Sequence, residues 1–114
     1  MLSQEENERL TRVGPGTAGG DLLRRYWQPV ALAEELPPGG APLPVRILGE
    51  DLVLFRDEQE RPGLLGRHCP HRGADLSYGR LEDGGLRCLY HGWLFDLTGQ
   101  CLEQPGEPAG STFC

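Results

Sequence analysis

Cys69-x-His71 and Cys88-x-x-His91 account for two of the chain's four cysteines and two of its three histidines, with sixteen residues between the pairs. Each pair presents one soft thiolate and one borderline imidazole within a short turn, a donor set suited to transition metals. Pro70 stiffens the first turn, and Gly73 and Gly92 follow the two histidines. Glycine at such positions lets the backbone approach closely and offer N–H groups to negative charge. Four donors from two loops can hold one tetrahedral ion or a dinuclear cluster. Zinc accepts two cysteines and two histidines, but its usual spacing brings the cysteines first and the histidines later. Here each loop carries one of each. His68, the third histidine, falls outside the pattern and reads as a surface or packing residue. Cys101 reads as a free buried thiol in a strand, and Cys114 as a free exposed thiol at the terminus.

The elements that must position these residues are short. Ser3-x-x-Glu6 is a capping box, with Leu10 and Val13 following at helical spacing, so a helix is expected over about residues 4–12. The run "GDLLRRYWQPVAL" predicts a second helix that opens near Asp21 and ends before Pro29, burying Leu22, Leu23, Tyr26 and Trp27. Past Pro37-Pro38-Gly39-Gly40 the period becomes that of strands. Val45–Leu48 and Leu52–Arg56 should pair across a Gly49-Glu50 turn, with a third strand around 62–66 beyond the turn at 57–61. Beyond the Cys/His region, "LRCLY", "WLFDL" and "QCLEQP" read as strands separated by turns at 83–85 and 98–100. The tail "EPAGSTFC" carries no strand or helix signal. The expectation is an all-β fold, a small antiparallel sandwich or barrel with two Cys/His loops at one end, preceded by short helices.

Composition agrees. A chain of 114 residues forms one domain and buries roughly two-thirds of its unfolded surface. Seventeen glycines and ten prolines signal many turns between short strands, because no repeat or low-complexity tract accompanies them. Aromatic residues make up only 7%, so the core must rest on Leu and Val. A net charge of -6 lacks the basic footprint that nucleic acid requires. No apolar run approaches the ~20 residues of a membrane span. The acidic, polar start "MLSQEENERL" is unlike a secretory signal, which makes the cytoplasm the expected compartment.

With its flanking "CPHRGA" and "YHGW", the Cys/His pattern resembles the Rieske family, whose [2Fe-2S] cluster has cysteines on one iron and histidines on the other. The resemblance implies that Cys69 and Cys88 bind the inner iron, and His71 and His91 the outer iron nearer solvent. Respiratory members brace their loops with a disulfide, but the corresponding positions here are Ala74 and Tyr90. They also direct Ser and Tyr hydroxyls toward the cluster from positions that are Trp93 and Phe95 here. Hydrogen bonds to cluster sulfur favour the reduced state, so their loss implies a potential near the low end of roughly -150 to +300 mV. Reduction raises the pKa of the histidine ligands, so the potential should fall with pH only at alkaline values.

From about Leu2 to Phe113, including "RRYWQPVAL", the chain resembles oxygenase subunits of the phthalate 4,5-dioxygenase type more than carrier ferredoxins, with a stand-alone Rieske ferredoxin as the alternative reading. The resemblance implies an arm over residues 1–36 and a Rieske domain over 37–114. It also implies an NADH-dependent flavin and iron-sulfur reductase as electron donor. The acceptor it implies is a mononuclear iron in the catalytic domain of the same or a neighbouring subunit. With three histidines in all, this chain is not expected to supply that second iron site itself.

Overall fold

The computed structural model describes residues 1–112. Helix α1 spans Gln4–Thr11 and starts as the capping box requires: the Ser3 hydroxyl accepts the Glu6 N–H at 3.2 Å, and the Glu6 carboxylate accepts the Ser3 N–H at 2.8 Å. Helix α2 spans Ala18–Leu23 and is capped by Thr17, three residues earlier than the opening expected near Asp21. Its buried residue is Gly20, where a Cβ would collide with the Val13 and Gly14 carbonyls.

The expected apolar stripe does not form. Leu23 is half-buried, whereas Leu22, Tyr26 and Trp27 are exposed, Trp27 fully. The helix ends at Leu23 in a tight turn, with the Arg25 N–H donating to the Leu22 carbonyl and the Tyr26 N–H to that of Leu23. Residues 26 and 27 therefore leave the helical period on which the expectation relied. Arg24 ties this segment to the β-structure that follows, at residues 48 and 50. It donates to the Val13 carbonyl at 3.0 Å, to the Leu48 carbonyl at 2.9 Å and to Glu50 at 2.8 Å.

The first sheet has the order β1 (Leu43–Ile47), β2 (Glu50–Arg56), β3 (Pro62–Gly66), all antiparallel. Ile47 lies opposite Glu50, so the hairpin turn is Leu48-Gly49, one residue earlier than expected. Both turn residues have positive φ, 49° and 77°, as a two-residue turn matched to strand twist demands. The β2–β3 turn is organised by Asp57, whose side chain is buried. It accepts the Gln59 and Arg61 N–H groups at 2.9 and 2.8 Å and the Arg61 Nε at 2.8 Å. Burial alone would raise its pKa, but these bonds from Arg61 and Gln59 hold the carboxyl below its ordinary value.

The second sheet has the order β4 (Arg80–Glu82), β5 (Gly85–Arg87), β6 (Leu94–Phe95), β7 (Cys101–Glu103). The β4–β5 turn, Asp83-Gly84, again has two positive φ values, 52° and 75°. Strand β4 was not among the expected strands; three residues of mixed polarity are too few to show alternation. Asp96 closes the β6–β7 turn by accepting the Thr98 and Gln100 N–H groups at 2.8 and 3.0 Å.

The core lies between the sheets. Val53, Phe55 and Leu65 from the first meet Leu86 and Phe95 from the second, joined by Leu76 and Trp93. Phe55 faces Gly63 in register, and a Cβ at Gly63 would come within 2.6 Å of the ring. Cys69 and Cys88 belong to this same core. The all-β expectation thus holds, as two antiparallel sheets with a few short helices.

Cys101 corrects a second expectation. It is disulfide-bonded rather than a free buried thiol. It sits half-buried on β7, the edge strand of the second sheet, and is packed against the core; the expectation of a free thiol rested on a reducing compartment. The thiol expected at Cys114 lies outside the described residues. Among the described residues, no helix is long and apolar enough to cross a membrane.

Candidate metal centre

Two six-residue loops, Cys69–Ala74 and Cys88–Trp93, share one backbone pattern. The cysteine N–H donates to the carbonyl five residues on: Cys69 to Ala74 at 2.8 Å, Cys88 to Trp93 at 2.9 Å. A glycine N–H then donates back to the cysteine carbonyl: Gly73 to Cys69 at 2.8 Å, Gly92 to Cys88 at 3.1 Å. Gly73 and Gly92 have φ values of 73° and 80°, a left-handed conformation that side chains disfavour. The second loop joins β5 to β6. The first lies between β3 and a short 3-10 turn at Leu76–Tyr78.

All four sequence-predicted donors meet between these loops. Cys69 and Cys88 are buried, each 3% exposed, and their sulfurs are close enough to interact. Burial pushes the Cys69 thiol up, with the Cys88 sulfur adding to the effect. Backbone N–H groups of His71 and Arg72 donate to the Cys69 sulfur and oppose the rise. Those donors stabilise negative charge on sulfur, the form that binds metal. The His71 and His91 rings lie farther out, 4.6 Å apart between centroids and nearly edge to face. His71 is half-buried and His91 exposed. The His91 ring packs against Tyr90 at 3.8 Å. Lost hydration, then repulsion from His71 and Arg72, hold its imidazole below the ordinary value. That favours the neutral, ligating form.

Trp93, 1% exposed, links the loops: its ring stacks on His71 at 4.4 Å with the planes only 6° apart. Among the described residues, no three His, Cys, Asp or Glu side chains gather where a single ion could be held. The candidate donors divide into two buried sulfurs and two imidazoles nearer the surface. Such a division suits a dinuclear cluster with sulfur ligands on one metal and nitrogen ligands on the other.

The family model of the Rieske [2Fe-2S] domain matches residues 26–113. The chain belongs to the Rieske [2Fe-2S] domain family. Its cofactor is accordingly a [2Fe-2S] cluster, and the paired donor set fits that group. The chain is 56% identical over 107 residues to the 5,5'-dehydrodivanillate O-demethylase oxygenase subunit of Sphingobium sp. (strain NBRC 103272 / SYK-6), covering 94% of this chain and 25% of that protein. It is 50% identical over 115 residues to the phthalate 4,5-dioxygenase oxygenase subunit of Pseudomonas putida, covering 100% of this chain and 26% of the relative. Among solved structures, apo dicamba monooxygenase superposes with a TM-score of 0.70 at 42% identity, covering 78% of this chain and 27% of that one. This Rieske domain therefore spans about a quarter of the length of these relatives, and it is of the kind found in oxygenase subunits.

Sequence reasoning missed what braces the Rieske loops. Arg67, just before the first loop, donates from Nε at 3.0 Å and Nη2 at 2.7 Å to Asp75 just after it. Asp75 also accepts the Ser77 N–H at 2.9 Å. Arg87, just before the second loop, donates to Glu82, to Glu103 at 2.8 Å and to the Gly92 carbonyl at 2.6 Å. The available signal was an arginine leading into each loop, with Asp75 following the first and Glu82 and Glu103 on strands beside the second. His68 is exposed and its Nδ1 lies 3.4 Å from the Gly73 carbonyl. Arg72 is exposed.

The Arg67–Asp75 pair makes stability depend on pH. Hydrogen bonds from Arg67, then from Ser77, hold the Asp75 carboxyl well below the usual carboxylate range. A depressed folded-state pKa contributes stability above the unfolded value of about 3.9 and loses it as pH falls toward the folded value. Asp75→Asn is expected to lower stability by about 1–3 kcal/mol at pH 7. The gap from the unsubstituted protein should narrow below about pH 4. Urea midpoints measured across that range check it, and a gap that stays constant with pH would contradict the pairing.

Proposed function

We propose that Cys69 and Cys88 bind one iron of the cluster and His71 and His91 the other, and that the domain relays electrons in an aromatic-ring-hydroxylating oxygenase of the phthalate 4,5-dioxygenase type. The observation that carries this reading is the division of donors, with two thiols buried in the core and two imidazoles at the rim. The cluster supplies one-electron redox chemistry between an NADH-linked flavin and iron-sulfur reductase and a mononuclear iron in the catalytic domain of the same or a neighbouring subunit.

The residues of this chain do the rest. Burial of Cys69 and Cys88 keeps water from the inner side, and the N–H groups of His71 and Arg72 offset negative charge on sulfur. His71 and His91 form the path to a partner, since they are the donors nearest solvent. Exposed Leu89 and Tyr90 beside them offer an apolar rim for docking. Trp93 and Phe95 stand where hydroxyl donors would raise the potential, and both are buried, so the reading includes a low potential.

The reading also divides the chain into an arm over residues 1–36 and a Rieske domain over 37–114, with Arg24 anchoring the arm to the first sheet. A cytoplasmic location follows from the NADH-linked supply of electrons.

Iron and acid-labile sulfide analysis tests the proposal, with about two of each expected per chain. The reduced protein should give a Rieske-type EPR signal, and an NADH-linked reductase should reduce it. Zinc without sulfide would overturn the reading.

A further inference from the structure

The residue immediately before each cysteine reaches across its own loop to the carbonyl of the left-handed glycine. In the first loop His68 makes the contact to Gly73, at 3.4 Å from an exposed ring. In the second loop Arg87 makes it to Gly92, at 2.6 Å. The two contacts are alike in position and unequal in strength, because a short charge-assisted bond is roughly twice as strong as a neutral one.

Arg87 is also held from behind. Its side chain is 12% exposed, its Nε donates to Glu82 on β4, and its Nη2 donates to Glu103 on β7 at 2.8 Å. Asp83 lies 3.7 Å away. One planar guanidinium thus spans two strands and the tip of the loop, which a lysine could not do with a single point charge.

We propose that Arg87 is a positioning residue for His91: by gripping the Gly92 carbonyl from anchors on β4 and β7, it fixes the orientation of the second loop's histidine toward the cluster. This rests on the assignment of His91 as a ligand. Gly92 directly follows His91, so the peptide that Arg87 grips begins one residue beyond the ligand. Backbone bonds from Cys88 to Trp93 and from Gly92 to Cys88, and the ring contacts of Trp93 and His91 with His71, also restrain this turn, but Arg87 ties it to β4 and β7. On that assignment Arg87 precedes the ligand Cys88, and its charge offsets Glu82 and Glu103; removing it would leave those carboxylates uncompensated and disfavour the more negative reduced state.

The test uses the full chain with its cluster, as Arg87→Met, Arg87→Lys and Glu103→Gln. Iron release to a chelator, the EPR signal of the reduced protein, reduction potential and urea midpoint are measured for each. Arg87→Met should release iron about tenfold or more faster. Its potential should fall and its EPR signal should shift. Arg87→Lys should recover the potential, because the charge returns, but not the native EPR signal or iron retention. Glu103→Gln should move iron release in the same direction as Arg87→Met, but less.

Native EPR, potential and iron release in Arg87→Met, with only a lower urea midpoint, would make Arg87 a mere brace and overturn the proposal. If Arg87→Met does not fold, Arg87→Lys decides: a native EPR signal and native iron release there would overturn it equally. Unsubstituted protein without about two irons and two sulfides would instead overturn the ligand assignment.

Discussion

Cys88→Ser is expected to yield protein without visible colour or a reduced EPR signal, its iron and sulfide falling to background. The side chain is one of two thiols placed in the core with Trp93, Leu86 and Phe95. An alcohol is a far weaker ligand for iron-sulfur chemistry than a thiolate. A serine at this buried point would also need a hydrogen-bond partner, at a cost of about 1–3 kcal/mol if none is found. Metal binding of this kind is coupled to folding, so the loss should lower the urea midpoint as well as the cofactor content. Cys69→Ser should behave alike, since Cys69 occupies the equivalent place in the first loop. Near-native iron and sulfide in Cys88→Ser would remove Cys88 from the ligand set.

Trp93→Ala should destabilise the domain by about 3–5 kcal/mol, the usual cost of removing a large buried aromatic. It should also do what an ordinary core cavity does not. Trp93 belongs to the second loop and stacks on His71 of the first, so its ring holds the two loops in mutual register. Trp93→Ala is therefore expected to alter the EPR signal and to speed iron loss. Trp93→Phe, which retains an aromatic face, should recover most of both. If Trp93→Ala lowers the urea midpoint while its EPR signal stays native, the stacking has no influence on the site.

The sequence exposed the donors far better than it exposed their surroundings. Cys69, His71, Cys88 and His91 are visible because a local spacing brings unusual residue types together within each loop. The capping box at Ser3 and Glu6 is equally local, and α1 begins where it indicates. The features that were missed depend on contacts between distant parts of the chain, or on backbone conformations foreign to the residue type. Leu48 at a φ of 49° is an unlikely turn former by composition, and the hairpin register imposes that conformation on it. Tyr26 and Trp27 look like core residues until the helix ends at Leu23 and leaves them outside its period, and Leu22, within the helix, is exposed as well. The Arg87 clamp needs Glu103, sixteen residues away and on a strand that is not a direct neighbour of β5. The stacking of Trp93 on His71 needs both loops folded first.

The shared hydrogen-bond pattern of the two loops has a kinetic consequence. Each cysteine sits in a turn closed by two backbone bonds, and the outer rings are wedged by Trp93 and by each other. On the proposed ligand assignment, groups held this way would have little freedom to shift when the cluster between them changes charge by one electron. The inner-sphere reorganisation energy would be correspondingly small, and a modest driving force would suffice for transfer in either direction. A carrier standing between a donor and an oxygen-activating centre gains from this, because it can be loaded and emptied repeatedly without rebuilding its ligand shell at each turn.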